Sequence, residues 1–302
     1  MKNTFTIDGI LLLDKPAGAS SNRVLQGVKH GYRAKKAGHT GTLDPFADGL
    51  LVCCFGKATK VSGLLLDADK RYRAYLTLGQ ATATGDTEGE VVATQAVTNL
   101  NEEQIQQVLF ELTGVQQQVP PMYSALKHEG KRLYELARQG IEVERKARTV
   151  TIHELTLLSW SNKHIEFEVH CSKGTYVRTL GEDIAKGLGT VGHLKALRRL
   201  SIAHFHVDTA LTPDALEQQQ WPREALLPSD DALRDWSRCT MGPEHSQRFC
   251  HGQIVDADVE DGGAPGEELR VYAADGRFLG CGTKLESGLI KPKRLFASAD
   301  KG

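Results

Sequence analysis

A charge excess is missing from this chain: 37 basic side chains face 38 acidic ones, for a formal net charge of −1. No whole-molecule field therefore gathers a polyanion, and any nucleic-acid site must be a local patch. Metal and disulfide patterns are missing too. Six cysteines, Cys53, Cys54, Cys171, Cys239, Cys250 and Cys281, form no C-x-x-C pair and have no histidine at zinc-ligand spacing. They read as reduced, mostly buried thiols of a cytosolic protein. His204 and His206 share a strand face but have no third ligand, so no metal is expected. The first apolar run, residues 10–13, is far too short for a leader or a membrane span, which makes a soluble, cytoplasmic protein the expectation. Cofactor motifs, internal repeats and long low-complexity tracts are absent as well. With 302 residues the chain has room for two domains, or one large domain with an appendage.

What is present centres on residues 38–51, which hold Gly38, His39, Thr40, Gly41, Asp44, Pro45, Asp48 and Gly49 between a basic run at 33–36 and an apolar run at 50–55. Pro45 pushes Asp44 toward an extended backbone, and Gly41 lets the loop approach another surface closely. A carboxylate held that way is available as a nucleophile or a base. The competing reading makes Asp44 an N-cap with proline at the first helical position.

Around that loop the pattern predicts a strand at 10–13, a helix capped by Ser20, Ser21 or Asn22 and running to about Tyr32, a strand at 50–55 and a short helix at 57–66. Residues 71–79 alternate, placing Tyr72, Ala74, Leu76 and Leu78 on one strand face. Residues 84–90 read as a surface loop, and Asn101 with Gln104 opens a helix. Strands follow at 149–158 and 165–171, then a helix with Val177, Leu180, Ile184 and Leu188 inward. Arg178 falls off that stripe, and its local partner Glu182 stands in the weaker order of charges, so it is free to pair elsewhere. Leu194, Leu197 and Leu200 line a further predicted helix with Arg198 and Arg199 exposed between them, and residues 218–235 read as a linker.

Two stretches stand apart in composition. Lys127, Lys131, Arg132, Arg138, Arg145, Lys146 and Arg148 crowd a segment with little to bury beyond Leu133, Leu136 and Ala137. It reads as a protruding helical arm, either a solvated face or a contact to phosphates. From about Met241 short apolar runs alternate with Gly, Asp and Glu turns, as in a small all-β unit, and Lys291, Lys293 and Arg294 add a second basic patch.

Residues 11–16, 38–45, 70–72, 122–127, 171–180 and 197–200, in that order, resemble the motifs of the bacterial TruB-type tRNA pseudouridine-55 synthases. The likeness spans most of residues 10–205, and the last sixty residues match the family's PUA-like domain loosely. The resemblance implies an α+β fold: a mixed, mostly antiparallel sheet flanked by helices, with a small C-terminal all-β PUA-like domain. It implies a catalytic domain at 1–238, with a thumb-like arm at about 122–148, and a PUA-like domain at 239–302. It also implies Asp44 as nucleophile, Tyr72 as the stacking platform and a candidate for handling the C5 proton, and Arg178 as the partner that orients Asp44. His39 would enter the space left by the flipped base, with Lys15, Tyr176 and Leu197 lining the pocket. Lys127, Lys131, Arg132 and Arg138 become the RNA-binding arm, and the expected partner is the T-arm stem-loop of tRNA, bound by a monomer with no guide RNA, cofactor or metal. Such an isomerisation gains and loses no group, and the base must leave its stack before a carboxylate can reach it. The rival readings are a non-catalytic tRNA-binding or folding protein and a glycoside hydrolase, which would need a second acid beside Asp44.

Overall fold

The computed structural model describes residues 4–260 and 264–297. The chain opens with β1 (Gly9–Lys15), buried at nearly every position, and α1 (Ser21–Gly31), which starts where Ser20 Oγ accepts the Arg23 N–H at 3.2 Å. β2 (Ala37–His39) and β3 (Asp48–Phe55) bracket the Asp44 loop, and α2 (Ser62–Asp67) leads to β4 (Lys70–Leu78). The β5 (Gln80–Thr82) and β6 (Val91–Thr94) pair is followed by α3 (Glu102–Glu111), opened by the Asn101–Gln104 capping box, and by β7 (Gly114–Gln118).

The basic arm is built differently from the expected helix. It holds a small hairpin, β8 (Lys127–His128) with β9 (Lys131–Arg132), a single turn of helix, α4 (Leu133–Ala137), and then irregular chain. Leu133 and Leu136 are its only buried apolar anchors of the predicted stripe, too few to sustain a longer helix. β10 (Arg148–Ser161), β11 (His164–Cys171), α5 (Val177–Gly187), β12 (Gly192–Ile202), β13 (Phe205–His206), α6 (Pro213–Gln218) and β14 (Leu226–Leu227) complete the body.

The body is one mixed sheet in the order β14-β1-β3-β12-β4-β11-β10-β7, with β2 added on β3 and β13 on β12. Along that path only β3 and β12 run parallel. This is the expected mostly antiparallel sheet with helices on its faces. The predicted helix through Leu194, Leu197 and Leu200 is in fact β12. Register shifts between Leu194 and Ala196, and between Arg199 and Ser201, break the two-residue alternation and leave apolar residues three apart on the buried side, which mimics a helical period. Residues 218–235 are likewise no linker. β14 pairs with β1 through Ile10–Leu227 and Leu11–Leu226, Trp221 packs on Tyr32 with ring centroids 5.6 Å apart, and Leu233 is buried.

The C-terminal strands β15 (Ser237–Met241), β16 (Glu268–Ala273), β17 (Phe278–Lys284) and β18 (Ile290–Leu295) form a separate four-stranded sheet. It has its own core of Cys239, Met241, Leu269, Val271 and Leu279, closed by Phe249 from a helix the composition did not reveal, α7 (Pro243–Cys250). Cys281 and Phe296 pack with Ala58, Val61 and Leu65 of the body. Cys53, Cys54, Cys171, Cys239 and Cys281 are buried thiols outside any disulfide.

Candidate active site

Adjacent strands bring the site together. The β12–β4 register sets Arg199 opposite Tyr72, and the β12–β3 register sets Arg198 opposite Asp48 and Arg199 opposite Gly49. Gly49 has φ +98°, and a Cβ there would lie 2.4 Å from the Arg199 carbonyl oxygen, so the two backbones meet only because the residue is glycine. The loop that carries Asp44 ends on that junction.

Residues 40–47 are irregular, and Pro45 begins a bend rather than a helix, which removes the N-cap reading of Asp44. The loop is held from several sides. Ser21 Oγ donates to the Leu43 carbonyl (2.9 Å) and accepts the Leu43 N–H (2.8 Å), and the Gly18 N–H donates to the Pro45 carbonyl at 2.7 Å. Arg198 fastens its far end, donating to Asp14 Oδ2 at 2.7 Å and Asp48 Oδ1 at 2.9 Å. A carboxylate on so firmly tied a segment needs little reorganisation to act.

Arg178 lies off the apolar stripe predicted for α5, yet it is only 4% exposed. Its guanidinium spends three nitrogens on four partners: Nε on Asp44 Oδ2 (3.0 Å), Nη1 on Asp86 Oδ2 (3.2 Å) and the Thr84 carbonyl (2.7 Å), and Nη2 on the Tyr123 carbonyl (2.7 Å). Glu182, the local partner considered from sequence, forms no ion pair with it among the described residues. Two opposing carboxylates and two carbonyls satisfy a charge that would otherwise be costly to bury.

Asp86 is a site residue that the sequence pattern does not single out. Its Oδ1 accepts from Thr84 Oγ1 at 2.5 Å and from the Glu88 N–H at 2.9 Å, which makes residues 84–88 a tight carboxylate-centred turn rather than a loose surface loop. The alternation of Thr84, Asp86 and Glu88 is the only hint the sequence carries. Asp86 is 2% exposed and does not line the cleft, so it does not supply the accessible second acid that a glycosidase requires.

Asp44, Tyr72, Tyr176, Arg178 and Leu197 line one cleft of about 320 Å³, together with Lys70, Ser124, Ala125 and Arg199. Tyr176 is held at the N-cap of α5 by Gln118, whose Oε1 accepts its N–H at 2.8 Å. Lys15 and His39 do not line this cleft. Lys15 is wholly buried behind the loop, its ammonium donating to the carbonyls of Pro16 (2.8 Å) and Ala19 (2.7 Å). Desolvation lowers its pKa to about 8, with Asp48 opposing. His39 closes the short β2–β3 pairing opposite Cys53, and burial lowers its pKa.

Burial also dominates the two central groups. It pushes the Asp44 carboxyl above its ordinary range, with the Arg178 charge and hydrogen bond pulling back toward the ionised form. The buried Tyr72 phenol is pushed up as well, and the charge of Arg199 opposes that shift.

The arm rises from the cleft's edge. Ser124 and Ala125 line the cleft, and the Tyr123 carbonyl is tied to Arg178, while Lys127, Lys131, Arg132 and Arg138 are all exposed. Among the described residues none of these four forms an ion pair, whereas Arg145 pairs with Glu142 at 3.1 Å. Arg132 and Arg138 lie over the Tyr134 ring at 5.8 and 5.6 Å.

Comparison with known structures and sequences fits this geometry. The fold is shared with a protein in an H/ACA ribonucleoprotein bound to a substrate RNA containing 2′-deoxyuridine (TM-score 0.73, 22% identity, 97% of this chain and 86% of that one). It is shared equally with one in a Cbf5–Nop10–Gar1 complex (TM-score 0.73, 24% identity, 98% and 87%). Residues 29–177 match the N-terminal domain of TruB family pseudouridylate synthases, which with the clamped carboxylate defines the chain as a pseudouridine synthase. Residues 178–234 match the tRNA pseudouridylate synthase B C-terminal domain, and residues 238–296 the pseudouridine synthase II TruB C-terminal domain. The chain belongs to the TruB family. It is 50% identical to tRNA pseudouridine synthase B of Methylobacillus flagellatus over 97% of this chain and 96% of that one. It is 50% identical to the same-named protein of Chromohalobacter salexigens over 97% and 95%, and 45% identical to that of Yersinia enterocolitica over 96% and 91%.

Proposed function

We propose that this chain isomerises uridine to pseudouridine in tRNA, acting on position 55 of the T-arm as a single chain without guide RNA, metal or cofactor. The observation that carries the reading is the ion pair of Asp44 with the buried Arg178, set at 3.0 Å in a cleft walled by Tyr72, Tyr176 and Leu197. The reaction breaks the N-glycosidic bond, turns the uracil while it stays bound, and rejoins it through C5. A carboxylate aimed into a nucleobase-sized cleft supplies the nucleophile, and the guanidinium opposes protonation that would silence it. The target is paired or stacked in folded RNA, so it must be extruded first, and Tyr72 gives it a surface to lie on.

The exposed cations of the arm provide phosphate contacts that position the RNA without reading its sequence. In this reading residues 1–238 are the catalytic domain and residues 239–302 a PUA-like appendage. Lys15 and His39 act from beneath and beside the loop rather than from the cleft wall. Among the described residues no helix is long and apolar enough to cross a membrane, and a tRNA substrate supports work in the cytoplasm.

Tritium release from a C5-labelled T-arm hairpin tests the reading. Purified protein should release label with no additive, and Asp44→Asn should abolish release while hairpin binding persists. No release by the unaltered protein, or full release by Asp44→Asn, would return the chain to a tRNA-binding role without catalysis.

A further inference from the structure

Arg199 is 1% exposed, among the largest fully buried side chains of the chain, and the function proposed above does not use it. The helical pattern puts it outside; it is inside because β12 is a strand whose register turns it toward the cleft floor. Nε donates to the Leu50 carbonyl at 2.7 Å and Nη2 to the Gly41 carbonyl at 3.1 Å. Gly41 has φ +128°, a conformation that L side chains rarely adopt, so glycine is what lets the loop turn beside the guanidinium. Tyr72 stands opposite Arg199 on the neighbouring strand, and the two side chains line the same cleft.

One feature distinguishes this arginine from Arg178 and Arg198. Among the described residues it forms no ion pair with a carboxylate, while its neighbours hold Asp44, Asp86, Asp14 and Asp48. A guanidinium buried on neutral acceptors alone is expensive. It also ties together two parts of the site that are distant in sequence: the Gly41 carbonyl lies three residues before Asp44, and Tyr72 stands on the neighbouring strand.

The chemistry of a guanidinium then decides the phenol's orientation. Arginine has N–H donors and no acceptor. Toward Arg199 the Tyr72 oxygen can only accept, so its own hydrogen turns away from the guanidinium. We infer that Arg199 is a positioning residue for the isomerisation: it fixes the Tyr72 phenol relative to the Asp44 loop and directs the phenol's hydrogen toward the extruded base. This rests on the function proposed above and adds a residue to it.

A double-mutant cycle on single-turnover tritium release, with Arg199→Gln, Tyr72→Phe and the pair, separates this role from simple support of the loop. Arg199→Gln should slow turnover about 30-fold or more while hairpin affinity stays within about 3-fold. In the Tyr72→Phe background the same change should slow turnover less than about 3-fold, because coupled residues are not additive. If Arg199→Gln melts below the assay temperature, Arg199→Lys carries the same cycle, since it keeps the charge but not the fork of donors. Equal slowing in both backgrounds, or a fall in melting temperature with no loss of rate, would overturn the inference. Release by the unaltered protein in the same assay shows that the underlying function stands whichever way the cycle falls.

Discussion

Replacing Arg178 by lysine keeps the charge beside Asp44 and removes the geometry, so it isolates what the guanidinium fork contributes. Three nitrogens serve four partners, Asp44, Asp86 and the carbonyls of Thr84 and Tyr123, at 2.7–3.2 Å. One ammonium cannot occupy three nitrogen positions, so at least two of the four hydrogen bonds go unmade. Charge-assisted hydrogen bonds contribute about 1.5–3 kcal/mol each, which puts the deficit at about 3–6 kcal/mol. Part of it falls on the fold, since Asp86 is buried and would be left without its cation. If about half falls on the placement of Asp44, the chemical step slows by about 10- to 100-fold. Single-turnover tritium release with saturating hairpin measures the second part and urea unfolding the first. Hairpin affinity should hold, because the arm's exposed cations are untouched. A rate within about 3-fold of the unaltered protein would show that charge alone suffices at this position and that the fork is incidental.

Lys131→Ala with Arg132→Ala should weaken hairpin binding and reduce the salt slope of log K by about 2, roughly one for each phosphate no longer neutralised; filter binding from low to moderate salt decides it, and an unchanged slope makes the arm a solvated face. Gly49→Ala should destabilise the fold by roughly 2–4 kcal/mol, combining a left-handed φ with overpacking against the Arg199 backbone; an unchanged urea midpoint would contradict that close approach. Lys15 gives a pH signature. Its folded pKa of about 8 lies below the unfolded 10.5, so the unfolded chain holds more protons between those values and this group's contribution to stability rises with pH across that window. Lys15→Met should flatten the change in unfolding free energy between about pH 8 and pH 10, and a slope equal to that of the unaltered protein would place the ammonium in solvent.

Where the pattern is local, the sequence is legible. Ser20 caps α1, Asn101 and Gln104 form the capping box of α3, and the alternation through Tyr72, Ala74, Leu76 and Leu78 is a strand buried on that face. The motif likeness groups Asp44, Tyr72, Tyr176, Arg178 and Leu197, which do share one cleft, although no spacing rule relates them. What stays hidden is hidden for physical reasons. Two bulges give β12 a false helical period and so conceal Arg199. A segment rich in proline and polar residues covers β1 as a sheet edge because only two of its residues, Leu226 and Leu227, need to pair. Asp86 sits in a turn whose composition matches any surface loop until a buried guanidinium is placed above it.

These differences share one cause, and it concerns how the site is held. Three arginines fasten it, and each reaches partners distant in sequence: Arg178 holds Asp44 and Asp86, Arg198 holds Asp14 and Asp48, and Arg199 holds Gly41 and Leu50. Local propensity cannot show such pairings, because the energy that turns an arginine inward comes from acceptors the rest of the fold delivers. The parallel junction of β3 with β12 is where that delivery happens, setting Asp48 beside Arg198 and Gly49 beside Arg199. A shift of one residue there would exchange the faces of the two arginines, sending Arg199 toward the aspartates and Arg198 toward the loop carbonyls. The placement of the Asp44 loop thus depends on strand register as much as on its own sequence.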